Sequence, residues 1–230
     1  MELLREFWWL ISTPEGLQTL IAWGGIPVMT AIVFAETGLL VGFFLPGDSL
    51  LFVAGFLASP AGSKILGERS LPVFWLIVIL SAAAIVGDTV GYWIGNKAGP
   101  PIFNRPQSRF FRRDHLIAAH AFYERHGGKT IVLARFMPFI RTFAPVVAGA
   151  AAMTYRHFLA YNVFGGVGWV MSITLIGYYL GRIAWIRDNL EKAVVIVVLL
   201  SLSPMFIHYF LHRRRRSAAA HAKEEYSGIP

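Results

Sequence analysis

FFLPGDSLLFVAGFLAS, residues 43–59, and ARFMPFIRTFAPVVAGAAAM, residues 134–153, are apolar stretches broken near their starts by a proline and marked by charges. The first ends an apolar region that starts near Leu17, runs to Leu45, stops at Pro46, Gly47 and Asp48, and resumes to Ser59. At 1.5 Å per residue, a helix over 17–45 would be roughly 43 Å long, whereas 49–59 gives roughly 16 Å, about half the thickness of a bilayer. A broken or re-entrant hairpin, placed at about 26–59, fits both lengths. The second stretch carries Pro138 and Pro145 with Arg135 and Arg141, and reads as a second broken hairpin over 130–153. Non-helical backbone at membrane depth survives only when protein or a water-filled cavity surrounds it, so the two breaks predict an internal cavity.

Composition points the same way. Of 230 residues 56% are hydrophobic and 15% charged, against roughly a quarter charged in soluble domains. The chain therefore reads as a multi-pass, all-α membrane protein with a single membrane domain over 17–211. Full spans are expected at about 71–96, 157–181 and 190–211. The excess of 21 Lys and Arg over 13 Asp and Glu, net +8, is gathered mainly beside apolar segments, where it sets topology and does not recruit nucleic acid. There are no cysteines, which excludes disulfides, thiolate metal sites and cysteine nucleophiles in this chain. The start, MELLREFWWL, carries Glu2 and Glu6 and does not read as a cleaved signal peptide. Residues 1–16 read as an amphipathic interfacial segment anchored by Trp8 and Trp9. The polar, basic stretch 97–129 reads as surface-lying, and 212–230 as a basic, disordered tail.

The two halves repeat one order of parts. A Phe-x-Pro break (Phe44 to Pro46, Phe136 to Pro138) is followed by V-A-G (Val53 to Gly55, Val147 to Gly149), and then by GYWIG at 91–95 or GYYLG at 177–181. One full crossing separates the hairpins, so the second begins on the opposite face and the repeats are expected to be inverted. Paired interruptions in corresponding positions of two halves point to a transporter's binding site near the midplane. The basic 97–129 segment and Arg213 to Arg216 fall on one side, which the positive-inside rule makes cytoplasmic, with the C-terminus. The N-terminus is external if 17–59 is a hairpin and cytoplasmic if 17–45 crosses fully.

Glu36, Asp48, Arg135 and Arg141 lie within or beside the breaks. A central Arg or Asp costs roughly 2.5–3.5 kcal/mol even on lenient insertion scales, so intramembrane charges are functional candidates. On a continuous helix, residues six apart point roughly 240° away from one another. Pro138 between Arg135 and Arg141 breaks that helix and lets both guanidiniums turn into one cavity. Two convergent guanidinium forks suit an oxyanion such as phosphate better than a neutral solute or a metal cation. The Pro46-Gly47 break could fold Glu36 and Asp48 towards the same site, where low dielectric favours the protonated carboxyl and makes each a proton carrier. A cycle follows: carboxylates pair with the arginines while the cavity is empty, and protonation frees the arginines for a phosphate head group.

Blander roles compete with these. The arginines could be a salt-bridge set holding the hairpins together, Glu36 an interfacial carboxylate, and Asp48 a helix N-cap after Pro-Gly. Asp88, in GDTVGYWIG, is a secondary pathway candidate or a structural hydrogen-bonding group. Gly91, Gly95, Gly177 and Gly181 suit close helix packing. His208 and His212 have metal spacing but no third ligand, and no metal is expected. A G-x-x-x-x-G-K-[ST] loop is absent, which argues against ATP hydrolysis. Lys97 and Arg105-Pro106 match only the start of a lipid-phosphatase motif, and no enzyme activity is expected.

ETGLLVGFFLPGDSLLFVAGFLA (36–58), GDTVGYWIGNKAG (87–99) and ARFMPFIRTFAPVVAGAAAM (134–153) resemble the DedA family of bacterial inner-membrane proteins, which is related to the VTT-domain lipid scramblases. The resemblance covers about 15–210 and centres on R-F-x-P-x-x-R. It implies two facing re-entrant hairpins, Glu36 and Asp48 as the acidic pair, and Arg135 and Arg141 as essential arginines. It also implies translocation of a lipid phosphate, with proton-coupled recycling of undecaprenyl phosphate across the inner membrane as the leading expectation. Other family members are similar to phospholipid flippases or are linked to proton-dependent tolerance, so another phospholipid, or a small ion moved by proton-coupled antiport or oxyanion import, is the alternative. The expected partners are the lipid and protons, with the proton gradient as energy source and no cofactor.

Overall fold

The structure is a computed structural model and describes residues 6, 9–10, 13–39, 46–66, 71–103, 129–183, 189 and 192. Everything regular among them is helical. The expected 190–211 span, the 212–230 tail and most of the 1–16 and 97–129 segments lie outside the described residues.

Helix α1, Pro14–Gly38, begins where the sequence supplies a cap: Thr13 Oγ1 accepts from the Gly16 amide at 3.0 Å, and Pro14 occupies the first turn. It does not run straight to Gly38. Gly25 adopts φ 54° and ψ −150°, a conformation open to glycine, and Pro27 follows inside the helix. The piece beyond the kink, 26–38, is roughly 20 Å long, too short to cross a bilayer core of roughly 30 Å.

Helix α2, Gly47–Leu57, starts directly after the Pro46 break, and all of its residues are buried. A helix apolar all round belongs inside a bundle. The short helix α3, Pro60–Leu66, follows. Helix α4, Val73–Phe103, runs several residues past the expected end at 96. Helices α5, Lys129–Arg135, and α6, Pro138–Ala150, flank the predicted break, which falls at Phe136 and Met137. Pro138 is at the start of α6, and Pro145 inside it has no N–H to bond the carbonyl of Arg141. Helix α7, Tyr155–Leu180, closes the described fold.

Three stretches are long and apolar enough to cross a membrane: Glu15–Gly38, Val73–Gly99 and Tyr155–Leu180. Only 22%, 39% and 33% of their most apolar windows are buried, so most of their surface is left for lipid. Trp23, Phe74, Trp75, Trp93 and Phe164 are among the exposed side chains. The core instead surrounds α2, where Leu50, Leu51, Phe52, Phe56 and Leu57 meet Met29, Val33, Leu76, Leu80 and Trp169.

The helices pack in two groups. α4 gathers α1 and α6, α7 gathers α2 and α5, and α4 then packs on α7. The V-A-G of each half therefore docks on the G-Y-aromatic-aliphatic-G helix of the other half. A Cβ on Gly55 would strike the backbone of Thr174, and one on Gly177 the backbone of Phe52. In the second pairing, Gly149 faces Tyr92 and Asn96, and Gly95 faces Val146, with the same lack of room. Gly38 and Gly87 make a third close crossing between α1 and α4. Apolar surface gains little by leaving lipid for another helix, so these glycines supply close backbone packing where a hydrophobic drive is weak.

Candidate functional site

Arg141 lies in the first turn of α6. Its Nη2 donates to Glu36 Oε1 near the end of α1, and its Nη1 to Asp48 Oδ1 in the first turn of α2. Its guanidinium stands 4.6 Å over the ring of Trp169 in α7, whose Nε1 donates to the same Asp48 oxygen at 2.8 Å. Four helices thus converge on one cation. Asp48 is not the helix cap: Pro46 holds that position with no side-chain cap bond, and the Asp48 carboxylate turns inward. The break expected to fold Glu36 towards Asp48 does so, since both reach one guanidinium.

Arg135 ends α5 and makes a different set of bonds. Its Nη2 donates to Asp88 Oδ2 in α4 and to Asn162 Oδ1 in α7. The Asn162 amide is fixed in turn, with Nδ2 donating to the Ile85 carbonyl at 3.1 Å. Gly165 and Gly166 leave the room: a Cβ on the first would stand 3.1 Å from Arg135 Cδ, and on the second 3.3 Å from Cζ. Each arginine therefore has one partner in its own helix group and one across the seam, Asp48 for Arg141 and Asp88 for Arg135.

Both arginines line one cavity, with Glu36, Thr37, Asp88 and Trp169. Its free space for the centre of a water molecule is about 10 Å³. That is near the roughly 10–15 Å³ needed to hold one water, so a phosphate enters only if the carboxylates and helices move. With every group ionised, Glu36, Asp48 and Asp88 outnumber the two guanidiniums by one negative charge. Among the described residues, Nε of Arg135 and Nε of Arg141 are buried without a partner, which leaves each arginine a donor to offer. Breaking a buried ion pair by removing one member typically costs about 3–5 kcal/mol, so the site also holds the helices together.

The break at 136–137 brings Glu36, Asp48, Arg135 and Arg141 into one neighbourhood, and Asp88 joins them as a direct ion-pair partner. Sequence reasoning missed Trp169, Asn162, Thr37 and the Gly165-Gly166 pair. Asn162 carried a signal, being an amide alone within an apolar span. Trp169 reads as an ordinary core aromatic, and no pattern marks its bond to Asp48. His208 and His212 lie outside the described residues.

Comparisons with known proteins find relatives along most of the chain. The VTT-domain family model matches residues 45–179. Protein DedA of Escherichia coli is 49% identical over 193 residues, 84% of this chain and 85% of that protein. An uncharacterised membrane protein of Mycobacterium leprae is 39% identical over 207 residues, 90% of this chain and 88% of its own length. Inner membrane protein YghB of Escherichia coli is 32% identical over 181 residues, 76% and 77% of the two chains. No solved structure matches the chain. The named relatives and the three long apolar helices make this a multi-pass membrane protein.

Proposed function

The chain belongs to the DedA family of VTT-domain membrane proteins, and from that premise we propose that it is a lipid-phosphate translocase, carrying undecaprenyl phosphate from the outer to the inner leaflet of the bacterial inner membrane with proton coupling. One observation carries the reading: Arg135, which is buried, and Arg141, which is largely so, share a water-sized cavity and are held there by carboxylates of the same chain. This is an arrangement that suits an anion site, in which the carboxylates stand where the substrate's phosphate oxygens will bind. Guanidinium forks match phosphate in charge and geometry. Arg135 and Arg141 bind the phosphate; Glu36 and Asp48 take up protons as they give up Arg141; Asp88 does the same for Arg135.

On this reading Pro14–Gly38 beyond its kink and Gly47–Leu57 form one re-entrant hairpin, and Lys129–Arg135 with Pro138–Ala150 the other, inverted relative to the first. Their short lengths and the exchanged V-A-G docking support it. The exposed apolar side chains Leu133, Phe136, Ile140 and Phe143 flank the two arginines in sequence, so a prenyl or acyl tail has apolar surface beside the head-group site. The C-terminus is cytoplasmic, the proton gradient supplies the energy, and the chain acts as a transporter without a cofactor and not as an enzyme. The small cavity favours one rival, a small-ion transporter using the same residues; another phospholipid is the remaining substrate.

The test is translocation of undecaprenyl phosphate in liposomes by wild type, Arg135→Ala and Arg141→Ala, with and without a pH gradient. Translocation that is faster under the gradient and lost in folded arginine variants supports the proposal. Folded wild-type protein that moves no lipid under any gradient excludes this substrate.

A further inference from the structure

We infer that Trp169 is a positioning residue that makes the Arg141–Asp48 pair separable, an inference that rests on the anion site proposed above. Trp169 is 1% exposed and touches both members of the pair with different parts of its ring. The N–H edge donates to Asp48 Oδ1 at 2.8 Å, and the π face lies 4.6 Å beneath the Arg141 guanidinium. When a phosphate takes Arg141, Asp48 loses a charged donor inside the protein and stays ionised until its proton arrives. A buried carboxylate stripped of donors carries a large desolvation cost, whereas one that keeps the indole N–H does not carry all of it.

The packing makes this division mechanical as well as chemical. Asp48 lies on α2, which docks on α7, the helix of Trp169, through Gly55 and Gly177. Arg141 lies on α6, which docks on α4 through Gly149 and Gly95. If the two groups part, Asp48 stays with Trp169, and Arg141 leaves with α4. The indole therefore keeps one partner and releases the other, and Arg141 becomes available to an anionic head group.

Two measurements on the full chain in lipid nanodiscs test this. The first needs no ligand. Trp8, Trp9, Trp23, Trp75, Trp93 and Trp185 are replaced by Phe; of these Trp9, Trp23, Trp75 and Trp93 are exposed, so little of the described core is disturbed. The remaining indole N–H resonance is expected downfield, moving upfield on Asp48→Asn. A resonance indifferent to that change overturns the inference.

The second measures binding of dodecyl phosphate and of inorganic phosphate to otherwise wild-type protein. Trp169→Phe keeps the ring and loses the N–H, and is expected to bind roughly tenfold more weakly, the order that a hydrogen bond to a charged group carries. In an Asp48→Asn background the same change is expected to cost much less, because the two residues act as one unit. Equal losses in both backgrounds mark a merely structural tryptophan and overturn the inference, as does unchanged affinity in Trp169→Phe; both leave the anion site intact. Binding of dodecyl phosphate alone identifies a lipid head group as the anion, and binding of both a head-group site open to free phosphate. Wild type that binds neither overturns the anion site and the release role with it.

Discussion

Arg141 and Arg135 share a cavity but not a chemistry. Arg141 is shared by two carboxylates, lies over an indole, and has a side chain 10% exposed. Arg135 has one carboxylate and one amide, is clasped by Gly165 and Gly166, and has a side chain 4% exposed. The Arg135–Asp88 pair is balanced in charge, whereas the excess negative charge of the cavity gathers at Arg141. A balanced, tightly enclosed pair suits an anchor. An unbalanced cluster with an extra donor on Asp48 suits the place where protons and a phosphate exchange, so Arg141 is the arginine expected to change partners first.

Removing Arg141 should have the largest effect. Arg141→Ala leaves Glu36 and Asp48 facing each other without their cation, and thermal unfolding in detergent should show a loss of about 3–5 kcal/mol, with transport abolished. Arg135→Ala strands only Asp88 and should cost less; equal losses would erase the distinction between the two centres. Gly55→Ala should come next. Its methyl has no room against Thr174, so α2 must shift on α7 and move Asp48 from Trp169. A loss of about 1–3 kcal/mol is expected, with weakened transport.

Gly166→Ala touches only the Arg135 side. The new methyl would lie 3.3 Å from Arg135 Cζ and 3.1 Å from Ile85 Cγ1, and small shifts relieve both. Better helix propensity offsets the crowding, so stability should stay within about 1 kcal/mol of wild type, with transport retained. The smallest change in stability belongs to the paired variant Arg135→Gln/Asp88→Asn. It removes both charges together and should unfold close to wild type, because no lone buried ion remains. Its phosphate binding should still fall, as measured by titration with dodecyl phosphate; full retention would reduce Arg135 to a structural residue.

The sequence made the breaks at Pro46 and Pro138 legible because proline lacks the helical N–H and favours a break or a helix start, although Pro27 and Pro145 stand inside helices. The four charges beside them were legible because their cost in an apolar segment demands an explanation. Gly25 escaped, although Gly24, Gly25 and Pro27 stand together, because the apolar run around them continues without interruption. Partner choice was not legible at all. Nothing along the chain says that Arg135 takes Asp88 and Arg141 takes Glu36 with Asp48, since that depends on which helix docks on which. The exchange of V-A-G segments between halves was hidden for the same reason: the repeat shows the parts, and only packing shows that each half holds the other's.

The central claim is that a lipid phosphate replaces carboxylates on Arg141 and Arg135. Solid-state NMR in membranes, with labelled arginine nitrogens and undecaprenyl phosphate, measures that contact through phosphorus–nitrogen dipolar dephasing. The account predicts strong dephasing in wild type that falls sharply in Arg141→Lys and disappears when Arg135→Lys is added. Dephasing that survives both substitutions would place the phosphate elsewhere and contradict it.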